Sequence, residues 1–172
     1  MAYLEFAFYI IFIISVFSFV SLAPWAPTRN SDYKRINEVL DLKPWENFLE
    51  MWCWTGKLSI FLAKNNPSSN IVWIELSPLF YLISKINAYF SKQKNLKIIY
   101  WNALKKDLSK FEAIYIFWLP DTITQKLLPK IKDILKPNFR MISYCFEMKN
   151  EIFFQEKFKP ENKLSIYKYT KK

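Results

Sequence analysis

The stretch NFLEMWCWTGKLSIFLAK, residues 47–64, decides the fold. It predicts a short apolar strand at Asn47–Met51, which carries an acid, Glu50, near its end. A turn that closes at Gly56 follows, and then a helix over about 57–64. A strand, an acid, a tight turn and a helix in this order form the first ligand crevice of a doubly wound α/β fold.

The turn contains bulky residues where its backbone conformation calls for glycine. Such a turn needs residues without a Cβ atom, so that the backbone can adopt positive φ and approach a ligand. Trp52 and Trp54 stand where glycine is expected. The chain of 172 residues has one glycine, where average usage of about 7% predicts roughly a dozen, and it has seven tryptophans.

Strands and helices alternate along the rest of the chain. Further strands are predicted at about 70–74, 96–100, 113–117 and 139–144, and two more, at about 152–157 and 164–169, are predicted to pair as a hairpin. Helices are predicted at about 31–42, 77–93 and 120–135. The sequence therefore predicts an α/β fold, with a doubly wound, mostly parallel sheet and a C-terminal antiparallel hairpin.

The N-terminus predicts a transmembrane anchor at residues 1–23. Residues 6–22 carry no charge, and the apolar stretch is about 31 Å long as a helix, close to the hydrocarbon core of about 30 Å. A cleaved signal peptide would need a basic start, whereas this one has only Glu5. Basic residues at 29, 34 and 35 follow the span, so the positive-inside rule predicts a single-pass membrane protein with a cytoplasmic C-terminal domain.

The remaining chain divides into two parts. Residues 24–44 are predicted to form a proline-containing linker and a lead-in helix, and residues 45–172 the folded domain. The net charge is +10, mostly from lysine. A solvated lysine surface is the favoured interpretation, and attraction to anionic lipid or to an acidic partner is the alternative. Nucleic acid is not favoured as a partner, because clustered arginine is absent.

The residue types present exclude several kinds of chemistry. The chain has no histidine, so hydrolases of the Ser-His type are excluded. Cys53 and Cys145 are far apart in the sequence and neither belongs to a CxxC pair, so no metal site is predicted.

Polar residues instead mark the ends of the predicted strands. An acid at the end of the second strand, Glu75, is positioned to accept hydrogen bonds from a ribose diol. Glu50, at the end of the first, could pair with an ammonium group, and the amide of Asn102 suits an adenine edge. No GxxxxGK[ST] motif is present, so a P-loop is excluded.

These strand ends resemble the motifs of the class I S-adenosylmethionine-dependent methyltransferases. That family has E/D-x-G-x-G-x-G, G-x-E and G-[DN]-A after its first three strands; here the segments are EMWCWTG (50–56), WIE (73–75) and WNA (101–103). The resemblance covers about residues 32–172. It implies a Rossmann-like methyltransferase sheet and S-adenosylmethionine as cofactor, with Glu50 at the methionine end, Glu75 at the ribose and Asn102 near the adenine. The cofactor-binding residues that it implies are Glu50, Met51, Trp52, Cys53, Trp54, Gly56, Glu75, Leu76, Asn102 and Ala103.

Tryptophan replaces the family's glycine at every departure. Five tryptophans stand at glycine positions of the family: Trp52, Trp54, Trp73, Trp101, and Trp45 in the turn KPWE (43–46), where the family has KPGE. Trp118 is the sixth candidate. Independent mutations would not select these positions, so the hypothesis is a reassigned codon: UGA, which some bacterial lineages read as glycine, has been written as tryptophan. The alternative is a protein with genuine tryptophans and a ruined site.

A narrower resemblance concerns the acceptor. The N-terminal span, the segment APWAPT (23–28) and the segment SYCF (143–146) are similar to the membrane-anchored protein-lysine methyltransferases related to the ATP synthase c-subunit lysine N-methyltransferase. This resemblance implies direct in-line methyl transfer to a lysine of a membrane-associated protein, with Trp118, Leu119 and Pro120 bordering the acceptor channel. Two alternatives stay open: a methyltransferase acting on RNA or a small molecule, and a catalytically inactive, methyltransferase-like membrane interaction module.

Overall fold

The computed structural model describes residues 2–19, 27–52, 54–134, 136–149 and 151–171. Its strands are β1 (Asn47–Met51), β2 (Asn70–Glu75), β3 (Leu96–Tyr100), β4 (Ala113–Ile116), β5 (Arg140–Tyr144), β6 (Phe153–Phe158) and β7 (Ile166–Lys171). They form one sheet in the order β3-β2-β1-β4-β5-β7-β6. The pairs among β1–β5 are parallel, and β7 is antiparallel to both β5 and β6. The predicted α/β sheet with its antiparallel C-terminal hairpin is confirmed.

Helices lie between the strands. The α-helices are α1 (Ala2–Phe19), α2 (Tyr33–Leu40), α3 (Lys57–Asn65), α4 (Pro78–Ser91), α5 (Pro120–Thr122) and α6 (Leu128–Ile131). Short 3₁₀-helices occupy Asn30–Asp32 and Ala103–Lys105. The helix predicted over about 120–135 is present from Pro120 to Ile131, where α5 and α6 are joined by a π-helical turn at Ile123–Leu127. Pro129 is consistent with this turn, because proline has no N–H and its ring clashes with the carbonyl four residues earlier.

Alternating side chains of the central strands build two cores. On one face, Phe48 of β1 and Tyr115 of β4 join the apolar sides of α2 and α3. On the other face, Leu49 and Ile116 join the segment that contains α6. Both faces of the parallel strands are therefore covered, as parallel sheets require.

The N-terminal segment does not match its prediction. Among the residues that the structure describes, no helix combines the length and the apolar character needed to cross a membrane. The transmembrane helix predicted at residues 1–23 is therefore not supported, although residues 1 and 20–23 lie outside the described ranges. The described part forms α1, which contacts α4.

A buried ion pair joins the amino-terminal ends of the sheet. The Arg140 Nη2 atom lies 2.5 Å from Glu46 Oε2, and both side chains are 8% exposed. The same guanidinium donates to the carbonyl oxygens of Leu40 and Asp41, at 2.5 and 3.0 Å. Arg140 thereby connects the end of α2 and the turn before β1 to the first residue of β5.

We expect Glu46→Gln to lower the free energy of unfolding by about 3 kcal/mol or more, because it leaves a buried guanidinium without its counter-charge. Urea denaturation measures the change. The matched control is Lys43→Gln, which removes the exposed pair with Asp41 and should cost less than about 1 kcal/mol. Equal losses in the two variants would contradict the structural role of the buried pair.

Candidate functional site

The predicted site residues lie together at the carboxyl-terminal ends of four neighbouring strands. We call this side of the sheet the carboxyl edge. Within the order β3-β2-β1-β4, Glu50 is the second-last residue of β1, and Glu75 is the last residue of β2. Asn102 and Ala103 follow β3, and the segment 118–120 follows β4. The predicted residue Cys53 lies outside the described part of the chain.

Glu75 connects the loop after β1 to the start of α4. Its Oε2 atom accepts the backbone N–H of Trp54 at 3.1 Å, and its Oε1 atom accepts those of Leu76 and Ser77 at 2.9 and 2.8 Å. The residue is 6% exposed. Burial raises the pKa of the Glu75 carboxyl to about 7, although these three hydrogen bonds lower it.

Glu50 is the second buried acid of the edge. It is 3% exposed and accepts a hydrogen bond from Ser59 Oγ of α3 at 2.5 Å. Burial raises the pKa of the Glu50 carboxyl to about 8; the Ser59 hydrogen bond opposes this rise and the nearby charge of Glu75 adds to it. Sequence reasoning missed Ser59, since a serine within a helix is usually solvated.

Side chains from α4 hold the loop after β1 from its other side. Ser84 Oγ donates to the carbonyl oxygen of Trp54 at 2.7 Å, and Asn87 Nδ2 donates to that of Thr55 at 2.9 Å. Sequence reasoning missed both residues. Ser84 had a usable signal, because it is a small polar residue in the middle of a mainly apolar helix. The structure shows that it is fully buried.

The loop has a left-handed backbone at alternate residues. The φ angles are +65° at Trp52, +57° at Trp54 and +70° at Gly56, and Trp45 before β1 has +69°. Gly56, the one glycine of the sequence, therefore has the same backbone conformation as Trp54 and Trp52. Left-handed backbone costs a residue with a side chain about 1–2 kcal/mol.

Three indoles pack into the same edge. Trp73 is fully buried, and a Cβ atom placed on Gly56 would lie 2.4 Å from its ring. The rings of Trp52 and Trp118 lie 4.5 Å apart, centroid to centroid. The indole nitrogens of all three tryptophans are buried and have no hydrogen-bond partner.

Asn102 and the segment after β4 complete the edge. The Asn102 side chain accepts the backbone N–H of Leu104 at 2.9 Å and so caps the 3₁₀-helix Ala103–Lys105. Leu119 is 42% exposed, whereas Trp118 is fully buried. The roles assigned to these residues by resemblance stay predictions.

An aromatic group lies beside β4 and β5. The ring of Phe117 lies 5.0 Å from that of Tyr144 and 5.9 Å from that of Phe146, centroid to centroid. The Tyr144 hydroxyl donates to Asp32 Oδ2 at 2.5 Å. Burial, and then Asp32, raise the pKa of the Tyr144 phenol, so it stays protonated at neutral pH.

A second hydrogen bond ties the lead-in segment to the sheet. The hydroxyls of Thr28 and Tyr115 lie 2.7 Å apart. Together with the Asp32–Tyr144 bond, it holds residues 28–32 against β4 and β5. Tyr144 belongs to the SYCF segment singled out from the sequence, but its bond to Asp32 was not predicted. Tyr115 was missed, because an aromatic residue within a strand is usually part of the core.

No protein-family model matches the chain. A protein-lysine N-methyltransferase of Saccharolobus islandicus is 25% identical over 138 residues, which cover 77% of this chain and 82% of that protein. A probable ribosomal RNA small subunit methyltransferase A of Methanosarcina acetivorans is 26% identical over 114 residues, which cover 66% of this chain and 37% of the relative.

Solved structures share the fold at low sequence identity. An RNA methyltransferase of Salinibacter ruber, in complex with S-adenosyl-L-homocysteine, superposes with a TM-score of 0.74 at 21% identity, covering 84% of this chain and 93% of that chain. A precorrin-6y C5,15-methyltransferase of Geobacter metallireducens gives 0.64 at 12% identity, covering 87% and 92%. The chain therefore has the fold of the class I S-adenosylmethionine-dependent methyltransferases, as the strand-end motifs predict.

The two buried acids predict a pH-dependent stability for the chain as written. Their pKa values, about 8 for Glu50 and about 7 for Glu75, lie above the ordinary 4.5. Between about pH 4.5 and pH 8 the unfolded chain therefore loses these protons first, and the free energy of unfolding falls as the pH rises. Since one pKa unit corresponds to about 1.4 kcal/mol, Glu50 alone contributes on the order of 4 kcal/mol.

Urea denaturation near pH 5 and near pH 8 measures this slope. Glu50→Gln should remove a large share of it, whereas Glu156→Gln, at an exposed position of β6, should leave it unchanged. A stability that rises with pH over this range would show that the two carboxyls are not held in their neutral forms.

Proposed function

We propose that the native protein is an S-adenosylmethionine-dependent methyltransferase with glycine at positions 45, 52, 54, 73, 101 and 118. One observation carries the proposal: residues 52, 54 and 56 have left-handed φ angles, at the spacing of the G-x-G-x-G motif. Glycine adopts this conformation without steric cost, and a bulky residue there is an outlier.

The energetic cost of the tryptophans supports the same proposal. Three left-handed tryptophans cost roughly 3–6 kcal/mol, and each buried, unpartnered indole N–H adds about 1–3 kcal/mol. These costs together approach the whole stability of an ordinary domain, about 5–15 kcal/mol. Exchange to glycine removes every one of them.

The residues as written do not fit S-adenosylmethionine, because indoles occupy the edge where a doubly wound sheet binds its ligand. With glycine at these positions, the chain offers a suitable set of groups. Glu75 would accept the ribose hydroxyls, Glu50 would face the methionine end and Asn102 the adenine. When bound, the cofactor supplies a methyl group that its sulfonium already activates.

A protein lysine is the proposed acceptor, and the aligned protein-lysine N-methyltransferase supports it. A lysine must lose a proton before it can accept a methyl group, which at pH 7 costs roughly 4–5 kcal/mol from a pKa near 10.4. An apolar surrounding lowers that pKa. The half-buried rings of Phe117 and Phe146, next to the segment 118–120, offer such a surrounding.

RNA is the second candidate acceptor, and the names of the ribosomal RNA methyltransferase relative and the Salinibacter ruber structure favour it. If the tryptophans are genuine, the preferred function becomes that of an inactive, methyltransferase-like interaction module.

Attachment to a membrane is also proposed, with the folded domain in the cytoplasm. The described side chains of α1 include exposed apolar residues at 3, 4, 6, 8, 9, 10 and 12, which a lipid environment would cover, and basic residues follow at 29, 34 and 35. Alkaline carbonate extraction of membranes from producing cells tests the attachment: the chain should stay in the pellet, and complete release would exclude it.

The intact mass of native protein tests the glycine positions. We expect a mass below the 20.8 kDa of the chain as written by the difference of six tryptophan-to-glycine exchanges, and peptides with glycine at all six positions. A native protein with the mass of the written sequence would overturn the proposal.

Calorimetry with S-adenosylmethionine tests the same positions functionally. The exchange of Trp52, Trp54, Trp73 and Trp118 to glycine should give micromolar binding, whereas the chain as written should give no heat. The matched control exchanges only Trp45 and Trp101, which are 81% and 53% exposed, and should not restore binding. Absence of binding in the fourfold variant would contradict the cofactor assignment.

Transfer of a radioactive methyl group identifies the acceptor. The all-glycine protein, incubated with labelled cofactor and a membrane fraction, should label a protein band that resists ribonuclease and releases methyl-lysine on hydrolysis. The Glu75→Gln variant of this protein is the matched control and should lose most of the label. Label that ribonuclease removes would favour the RNA acceptor instead.

A further inference from the structure

The outer surface of α4 is an apolar face that the described residues leave exposed. Of the fourteen residues of this helix only Ser84 is fully buried. The large apolar side chains that it leaves exposed are Leu79, Leu82, Ile86, Tyr89 and Phe90, at 42%, 58%, 49%, 80% and 73%. At 3.6 residues per turn these five share one side of the helix, opposite Ser84. We call them the α4 face.

The charge around the α4 face has one sign. No acidic residue occurs between Glu75 and Asp107. Over the same stretch there are six lysines, of which Lys85, Lys92, Lys94 and Lys97 are exposed on α4, the turn after it and the edge strand β3. Large apolar side chains therefore border directly on ammonium groups.

A second apolar surface adjoins this one. α1 contacts α4, and its described side chains between Tyr3 and Phe12 include seven exposed apolar residues. A second set of exposed apolar side chains therefore lies on a helix that contacts α4.

We propose that the α4 face binds the surface of a bilayer that contains anionic lipid. Aromatic and aliphatic side chains of a surface helix enter the boundary between headgroups and acyl chains, and neighbouring lysines meet the lipid phosphates. Tyrosine and phenylalanine beside lysine are typical of this boundary. The absence of acids over residues 76–106 removes the repulsion that anionic headgroups would otherwise cause.

A second copy of the chain fits this surface less well. A symmetric pairing of two α4 faces would place the lysines of one copy beside those of the other, which is unfavourable. The lipid contact goes beyond methyl transfer, because it needs neither cofactor nor acceptor, and a catalytically inactive chain would retain it.

A fluorescent probe at position 90 tests the contact in the full chain. Both native cysteines are first replaced, by Cys53→Ser and Cys145→Ser. A single cysteine is then introduced by Phe90→Cys and labelled with bimane. The comparison probe is introduced by Glu156→Cys on β6, at the opposite end of the sheet from β3. Vesicles of phosphatidylcholine, with or without phosphatidylglycerol, carry a lipid-borne nitroxide quencher. With vesicles that contain phosphatidylglycerol, the nitroxide should quench most of the bimane emission at position 90, and the remaining emission should shift to the blue. The emission of the probe at position 156 should not change.

Charge variants separate this contact from attachment through α1. Lys85→Gln with Lys94→Gln should remove most of the quenching at position 90, whereas Lys126→Gln with Lys130→Gln, at exposed positions elsewhere, should not. Each labelled variant must keep the thermal transition of the parent. An unquenched position 90 on a chain that sediments with vesicles overturns the proposal, and so does equal quenching at both positions. A blue shift without vesicles, together with a doubled mass in light scattering, would assign the face to a second copy instead.

Discussion

The loop between β1 and α3 is held in its left-handed shape by hydrogen bonds from two sides, and the arrangement of the edge depends on it. Glu75 binds the N–H of Trp54 from the end of β2, while Ser84 and Asn87 bind the carbonyl groups of residues 54 and 55 from α4. The backbone path is thus specified by groups outside the loop. For this reason the loop keeps the geometry of a glycine-rich turn although two of its residues are written as tryptophan.

The carboxyl edge divides into two halves of different character. Along β1 and β2 the buried groups are carboxyls with raised pKa values, joined to backbone amides and to Ser59. Along β4 and β5 they are aromatic rings, whose hydroxyls are bound by Thr28 and Asp32. Under the proposed function, the polar half would lie beside the charged cofactor, and the apolar half would desolvate the acceptor amine.

The sequence predicts the sheet well because periodicity and strand-end chemistry are local signals. The bounds of β1 and β3 agree with the prediction to the residue, and the acids fall at the carboxyl edge because parallel strands share a direction. The π-helical turn between α5 and α6 was not predicted, because the apolar spacing of residues 120–131 does not distinguish one turn of π-helix from α-helix. Ser59, Ser84 and Asn87 could not be paired with their partners, because their contacts depend on how helices lie on the sheet. The apolar N-terminus predicts a span that the described part of α1 does not support.

The three indoles in the crevice have a consequence for folding as well as for catalysis. They supply apolar contacts that a glycine-bearing chain lacks, and six added glycines also enlarge the conformational freedom of the unfolded state. With glycine at these positions, these losses would offset part of the stability gained when the left-handed tryptophans and the unpartnered indole groups are removed, and the cleft would be open to solvent. A ligand that binds only the folded form adds stability in proportion to the logarithm of its concentration. In a cell, the lifetime of this protein would then follow the supply of its methyl donor.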